Sequence, residues 1–215
     1  MELAKFIDHT LLRPDCTKED IARICQEAIE HQFAAVCVPP YYVKNAANIL
    51  SEHRIKVATV VGFPMGYSAI SAKVEEIKRA MNEGVDELDI VVNLNAVKNG
   101  DWAHVRNEVD SITRAVHLKG KIIKVIMETG LLEKDEIIRL CNICTDISVD
   151  FVKTSTGFSG DGASVEIIEL LRSQLSDSIK IKASGGIRTA QQANELIVAG
   201  ANRLGTSSGI AILAV

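Results

Sequence analysis

The chain has 215 residues, 47% of them hydrophobic, with a net charge of −4 and a sequence pI near 5.8. This is enough apolar material for one sizeable core, so residues 1–215 are read as one domain. The acidic balance, without a Lys/Arg block or a basic-aromatic stripe, argues against nucleic acid as a partner, and no stretch approaches the ~20 apolar residues of a membrane span. The opening MELAKFIDHTLL lacks the basic region and long apolar run of a secretion signal. Five cysteines, odd in number and irregularly spaced, suit a reducing cytoplasm.

The first predicted strand is FIDHTL (6–11), which also suits continuation of a short N-terminal helix. TKEDIARICQEAIEHQ follows as a helix, with Thr17 as N-cap and Asp20 three residues on, close to a capping box. AAVCVP (34–39) and KVATVVG (56–62) are strands rich in Val. VGFPMG, Val61 to Gly66, resembles a loop at a sheet's end, and SAKVEEIKRAMNEG is a helix closed by Gly84. ELDIVVN (87–93), KIIKVIME (121–128), DFVKTS (150–155), IKIKAS (179–184) and RLGT (203–206) complete the strands. DWAHVRNEVDSITRAVHLKG, EKDEIIRLCNICTDIS, SVEIIELLRSQL and TAQQANELIVAG are the helices between and around them. Cys141 and Cys144 form a CNIC pair inside one of these helices; without a second pair they read as packing residues rather than zinc ligands.

Alternating strand and helix imply a parallel sheet with right-handed crossovers. Eight such units favour an α/β fold of the (β/α)8 TIM-barrel type, with a doubly wound open sheet as the alternative. In a barrel, functional groups gather at the C-terminal ends of the strands, and the period of two sorts side chains by face. Glu87, Asp89, Val91 and Asn93 share one face; Leu88, Ile90 and Val92 share the other and should meet the helices. Lys124, Ile126 and Glu128 form a second polar set, Phe151, Lys153 and Ser155 a third, and Lys180, Lys182 and Ser184 a fourth. Lysine is implausible against a helix layer, so these sets should face the barrel interior.

Lys124, Lys153 and Lys182 follow one another at intervals of 29 residues, each in a strand that runs into a polar or Gly-rich turn. Alone, each would read as a solvated strand-edge residue. Repeated in phase, they suggest a pocket bearing amines. Two lysines on adjacent strands repel as ammonium ions, so one proton is easier to lose, and the neutral amine can attack a carbonyl to form a Schiff base. A carboxylate is then needed to move protons; Asp89 suits that task, although it also suits a purely structural salt bridge. Asp8 is a weaker second carboxylate, His9 reads as structural or solvent-facing, and Cys37 as buried packing. Gly185 and Gly186 in KASGGIRT, with Ser207 and Ser208 in GTSSG, precede predicted helices on the last two strands. Such loops bring backbone N–H groups to an anion and are a frequent phosphate site in TIM barrels.

FIDHTLL, AAVCVPP, VGFPMG, ELDIVVN, KVIMETG, DFVKTSTGF, KASGGIRT and GTSSG span nearly the whole chain in order. Together they resemble the deoxyribose-phosphate aldolases, a family of class I aldolases. The resemblance implies a TIM barrel, a reaction without metal or other cofactor, and sugar phosphate and aldehyde substrates. It also implies a homodimer. It places the Schiff-base lysine at Lys153, the second lysine that keeps it neutral at Lys182, and the proton-relay aspartate at Asp89. The phosphate loops fall on Gly157, Gly185, Gly186, Ser207 and Ser208. Where some relatives have lysine after KTSTG this chain has Phe158, so phosphate binding is expected to rely on backbone and hydroxyl donors. Some relatives also end in a tail bearing a tyrosine, whereas this chain reads GIAILAV at its end. The readings left open are another Schiff-base aldolase or transaldolase on a sugar phosphate, and a non-catalytic sugar-phosphate binding barrel. A metal-dependent aldolase is disfavoured, since no close His/His/Glu spacing is present.

Overall fold

A computed structural model describes residues 2–214 of the chain. Eight strands are present: β1 (Ile7–Thr10), β2 (Ala35–Val38), β3 (Lys56–Val61), β4 (Glu87–Val91), β5 (Ile122–Ile126), β6 (Phe151–Lys153), β7 (Lys180–Ser184) and β8 (Arg203–Thr206). All are parallel and pair in chain order, and β8 pairs with β1, so the sheet is a closed barrel and not the open alternative. FIDHTL begins as a strand at Ile7, after a three-ten turn over Leu3–Phe6.

The helices are α1 (Lys18–His31), α2 (Val43–Leu50), α3 (Ile70–Asn82), α4 (Leu94–Lys98), α5 (Trp102–His117), α6 (Lys134–Ile147), α7 (Val165–Gln174), α8 (Ala190–Val198) and α9 (Gly209–Leu213). The Thr17–Asp20 capping box at the start of α1 is formed in both directions. Gly84 follows the last residues of α3 with φ of 100°, which glycine adopts without steric cost. Helices α2 and α4 were not singled out from the sequence. Each is short: α2 spans eight residues and α4 five.

Alternation along the strands makes two cores. Val36, Val38, Leu88, Ile90, Val92, Val125 and Val152 point outward and join the main apolar layer between sheet and helices. Inside the barrel lies a small apolar set, Cys37, Ala58 and Val60, on which Leu12 and Phe63 pack. Charged groups share that interior with Val91, Ile126 and Phe151: Asp8, Glu87, Asp89, Lys124, Lys153, Lys182 and Arg203 are all buried. His9 points the other way from Asp8, against Phe33, and its Nε2 lies 2.6 Å from Glu27.

Cys16, Cys25, Cys37, Cys141 and Cys144 are buried free thiols. Cys141 and Cys144 belong to the apolar layer under α6, as packing residues do. No helix among the described residues is long and apolar enough to cross a membrane.

Candidate active site

Register decides which inward side chains meet. Lys153 on β6 lies directly opposite Lys182 on β7, and parallel neighbours in register point to the same face. Lys124 on β5 pairs with Asp89 on β4 and with Phe151 on β6, while Lys153 pairs with Ile126. The equal spacing of 29 residues therefore conceals a difference in depth. Lys124 sits one inward position below Lys153, because the 29 residues between them include connections of different length.

Asp89 is the hub. Its Oδ2 accepts from Lys153 Nζ at 2.9 Å and from Lys182 Nζ at 2.8 Å; its Oδ1 accepts from Lys124 Nζ at 2.8 Å. Burial opposes ionisation of Asp89, but the ammonium groups of Lys124, Lys153 and Lys182 outweigh it and hold the carboxyl well below the usual carboxylate range. Asp8 behaves alike. Burial works against its charge, yet Lys182, Arg203 and Lys124 lower it overall. Lys182 donates to Asp8 at 2.5 Å as well as to Asp89. Burial favours its neutral form, but these two carboxylates win and raise its proton affinity. Lys124 is raised in the same way by Asp89 and Glu87 against the effect of burial.

Gly205 on β8 makes room for this arrangement. A Cβ at that position would lie 2.9 Å from Lys182 Cε and 3.0 Å from Ser184 Cβ, so the lysine reaches Asp8 only across a bare backbone. Cys37 faces the same interior. Burial pushes its thiol up to about 11, so it is a neutral packing group beside the charges.

Above the charged layer a cavity of about 360 Å³ opens at the C-terminal ends of the strands. Lys153 is at its floor, and Gly157, Gly185, Gly186, Ser207 and Ser208 all line it. Gly157, Gly185 and Gly186 have φ of 83°, 91° and 77°, the left-handed region that turns a backbone sharply at glycine. A Cβ on Gly186 would meet nothing within 4 Å, so its free side is open space.

The helix starts are less direct than the sequence suggested. Helix α8 begins only after Thr189, whose side chain caps it together with Gln192. Helix α9 has five residues and no side-chain cap at Ser208. Gly185 and Gly186 line the cavity themselves, whereas α8 starts at Ala190, outside its lining.

Several residues of this region were not assigned roles from the sequence. Arg13 and Arg188 line the cavity mouth; Arg13 is paired with Asp15 and Asp20. Phe158 lines it too, and Phe63 of VGFPMG meets its ring edge-on with centroids 5.2 Å apart. Glu128, in the left-handed region at φ 56°, accepts from Thr156 N and, at 2.5 Å, from Thr156 Oγ1. It thereby ties the end of β5 to the TSTG turn. Burial raises its carboxyl above the usual range despite these bonds and Lys153. Among the described residues, no group of three His, Cys, Asp or Glu side chains is arranged to hold a metal.

The family model for DeoC/LacD family aldolases matches residues 3–214. A deoxyribose-phosphate aldolase of Caldicellulosiruptor saccharolyticus is 50% identical over 213 residues, covering 99% of this chain and 97% of the relative. One from Thermococcus gammatolerans is 48% identical over 215 residues, covering 99% and 96%. The solved structure of a deoxyribose phosphate aldolase from Aeropyrum pernix, described as tetrameric, superimposes with a TM-score of 0.92. It is 32% identical and covers 98% of this chain and 89% of that one. An orotidine 5'-phosphate decarboxylase from Pyrococcus horikoshii, 14% identical with a TM-score of 0.66, shares the fold.

Proposed function

The chain belongs to the DeoC/LacD family of aldolases, and on that premise we propose that it cleaves 2-deoxy-D-ribose 5-phosphate reversibly to acetaldehyde and D-glyceraldehyde 3-phosphate. It is a class I aldolase, a carbon–carbon lyase.

Lys153 is the nucleophile. Its neutral amine attacks C1 of the open-chain sugar, and the carbinolamine loses water to give an iminium ion. Removal of the proton from the C3 hydroxyl lets the C2–C3 bond break. The bonding pair moves into the iminium and leaves an enamine of acetaldehyde on Lys153. Glyceraldehyde 3-phosphate departs, C2 takes a proton, and water hydrolyses the new iminium to acetaldehyde and free amine.

Asp89 moves protons in these steps. A carboxylate held so far below its ordinary range stores no proton at neutral pH. It acts instead as a relay between the amines it touches, accepting a proton only while one of them changes state.

The phosphate is read by the loops of Gly157, Gly185, Gly186, Ser207 and Ser208, with Arg188 adding positive potential at the mouth. The observation that carries this reading is the placement of Lys153 at the floor of a cavity walled by those five residues.

The buried free thiols support a reducing cytoplasm as the site of action, and the family resemblance supports a homodimer, which light scattering tests.

The test of the reaction is reduction with borohydride in the presence of acetaldehyde, followed by peptide mass mapping. A two-carbon adduct is expected on Lys153, with none in Lys153→Ala, together with turnover of 2-deoxyribose 5-phosphate by the unaltered chain alone. An adduct on a different lysine sinks the assignment.

A further inference from the structure

We propose that Glu87 and Arg203 are positioning residues: they close a charge-balanced ring beneath Lys153 and so set its protonation state. The proposal rests on Lys153 being the Schiff-base amine.

The ring is continuous. From Asp89 Oδ1 it runs to Lys124 Nζ at 2.8 Å, then to Glu87 Oε2 at 2.6 Å. Glu87 receives Arg203 Nη2 in a fork at 2.6 and 2.8 Å. Arg203 Nη1 reaches Asp8 Oδ1 at 2.8 Å, Asp8 Oδ2 holds Lys182 at 2.5 Å, and Lys182 returns to Asp89 Oδ2 at 2.8 Å. Three carboxylates alternate with three cations, and their side chains are between 0 and 10% exposed.

Lys153 is outside this ring and hangs on Asp89 Oδ2 alone. Each ring cation touches at least two carboxylates; Lys153 touches one, which it shares. The ring is neutral without it. Unbalanced charge in a buried site is costly, and Lys153 is the amine of this layer that has no carboxylate of its own. A neutral amine N–H still donates to Asp89, so the 2.9 Å contact survives loss of one Lys153 proton. Arginine keeps its charge at every working pH, which makes Arg203 the fixed point of the count.

The groups facing Lys153 come from every side. Asp8 is on β1, Cys37 on β2, Glu87 and Asp89 on β4, Lys124 on β5, Lys182 on β7 and Arg203 on β8; β3 presents Ala58 and Val60. Glu128 is engaged with Thr156, and Arg13 and Arg188 stand at the mouth. Cys37 is neutral, since burial pushes its thiol up to about 11.

The test is the acidic limb of the pH profile of kcat/KM, which reports the free enzyme. Arg203→Met leaves the ring one negative charge in excess, so Lys153 keeps its proton to higher pH and the limb moves up. Glu87→Gln leaves one positive charge in excess, and the limb moves down. Each shift should be about one pH unit, the effect of a unit charge over roughly 10 Å at an effective dielectric near 20. The double variant restores the count and should return the limb toward its starting pH. Arg203→Lys keeps the charge while losing the fork, so its limb should stay in place even where stability falls. Should Arg203→Met fail to fold, Glu87→Gln and Arg203→Lys suffice for the decision.

Loss of rate in both single variants with limbs unmoved, or moved the same way, overturns the proposal. Borohydride trapping with acetaldehyde accompanies each variant. An adduct on Lys153 with unmoved limbs rejects the ring and leaves the Schiff-base assignment standing. An adduct on another lysine rejects both.

Discussion

Lys153 and Lys182 donate to the same oxygen atom, Oδ2 of Asp89, at 2.9 and 2.8 Å. Opposite each other in register on β6 and β7, they stand on unequal terms. Lys182 has a second carboxylate in Asp8, and Lys153 has none. The same carboxylate oxygen therefore serves one lysine that is pinned as a cation and one whose charge is left without a counterion of its own.

Lys182→Met should lower the rate and also move the acidic limb of the pH–rate profile to higher pH. Removing this cation leaves Asp8 and Asp89 in excess, so the proton stays on Lys153 longer. A profile that falls in height with an unmoved limb would assign Lys182 to packing alone.

Asp89→Asn should cost about 10²- to 10⁴-fold in kcat, the range of general acid–base catalysis. It should also lower stability by about 3–5 kcal/mol, because three buried lysines lose their shared counterion. Near-full activity in a folded variant would leave Asp89 a structural role only. Urea melts and steady-state rates on the same preparation separate the two effects.

Ser208→Asp places a negative charge among the loops assigned to the phosphate. KM should rise sharply for 2-deoxyribose 5-phosphate and little for unphosphorylated deoxyribose, so that the two substrates converge in kcat/KM. Each charge-assisted hydrogen bond lost should weaken binding by about 1.5–3 kcal/mol. Equal proportional losses for both substrates would move the phosphate elsewhere, for example toward Arg188.

Gly205→Ala should reduce kcat by displacing Lys182, since its Cβ would stand 2.9 Å from Lys182 Cε. Overpacking of this kind costs about 1–3 kcal/mol of stability, which thermal unfolding measures. Unchanged kcat would mean that β8 shifts and the lysine keeps its place.

Acid should weaken the barrel through Asp8 and Asp89. Both are depressed in the folded protein, so their contribution is present above the ordinary aspartate value of about 3.9 and is lost as pH falls through the folded values. The midpoint of thermal unfolding should therefore drop steeply below about pH 4. Asp8→Asn should start from a lower midpoint and fall less steeply over the same range; a parallel fall would remove Asp8 from this account.

Much of this molecule was legible in its sequence. Alternating Val- and Ile-rich strands with capped helices determined a parallel α/β fold and favoured the barrel over an open sheet, because strand and helix periods are local properties. The period of two placed Asp89, Lys153 and Lys182 inside, since an unpaired lysine or aspartate is costly against an apolar helix layer. DFVKTSTG, KASGGIRT and GTSSG marked the mouth, because turn chemistry is written in neighbouring residues. The two short helices α2 and α4 escaped, because at eight and five residues an apolar period does not stand out from a connecting segment. Tertiary structure alone decided the depth of Lys124, which equal spacing had concealed, the membership of Arg203 in the charged layer and its pairing with Glu87. Glu87 and Arg203 are separated by 116 residues, Asp8 and Arg203 by 195. Those contacts exist only because β8 closes on β1, and the register of that closure is set by packing of the whole outer layer. No local pattern announces which buried charge will meet which, since charge balance is a property of the assembled interior.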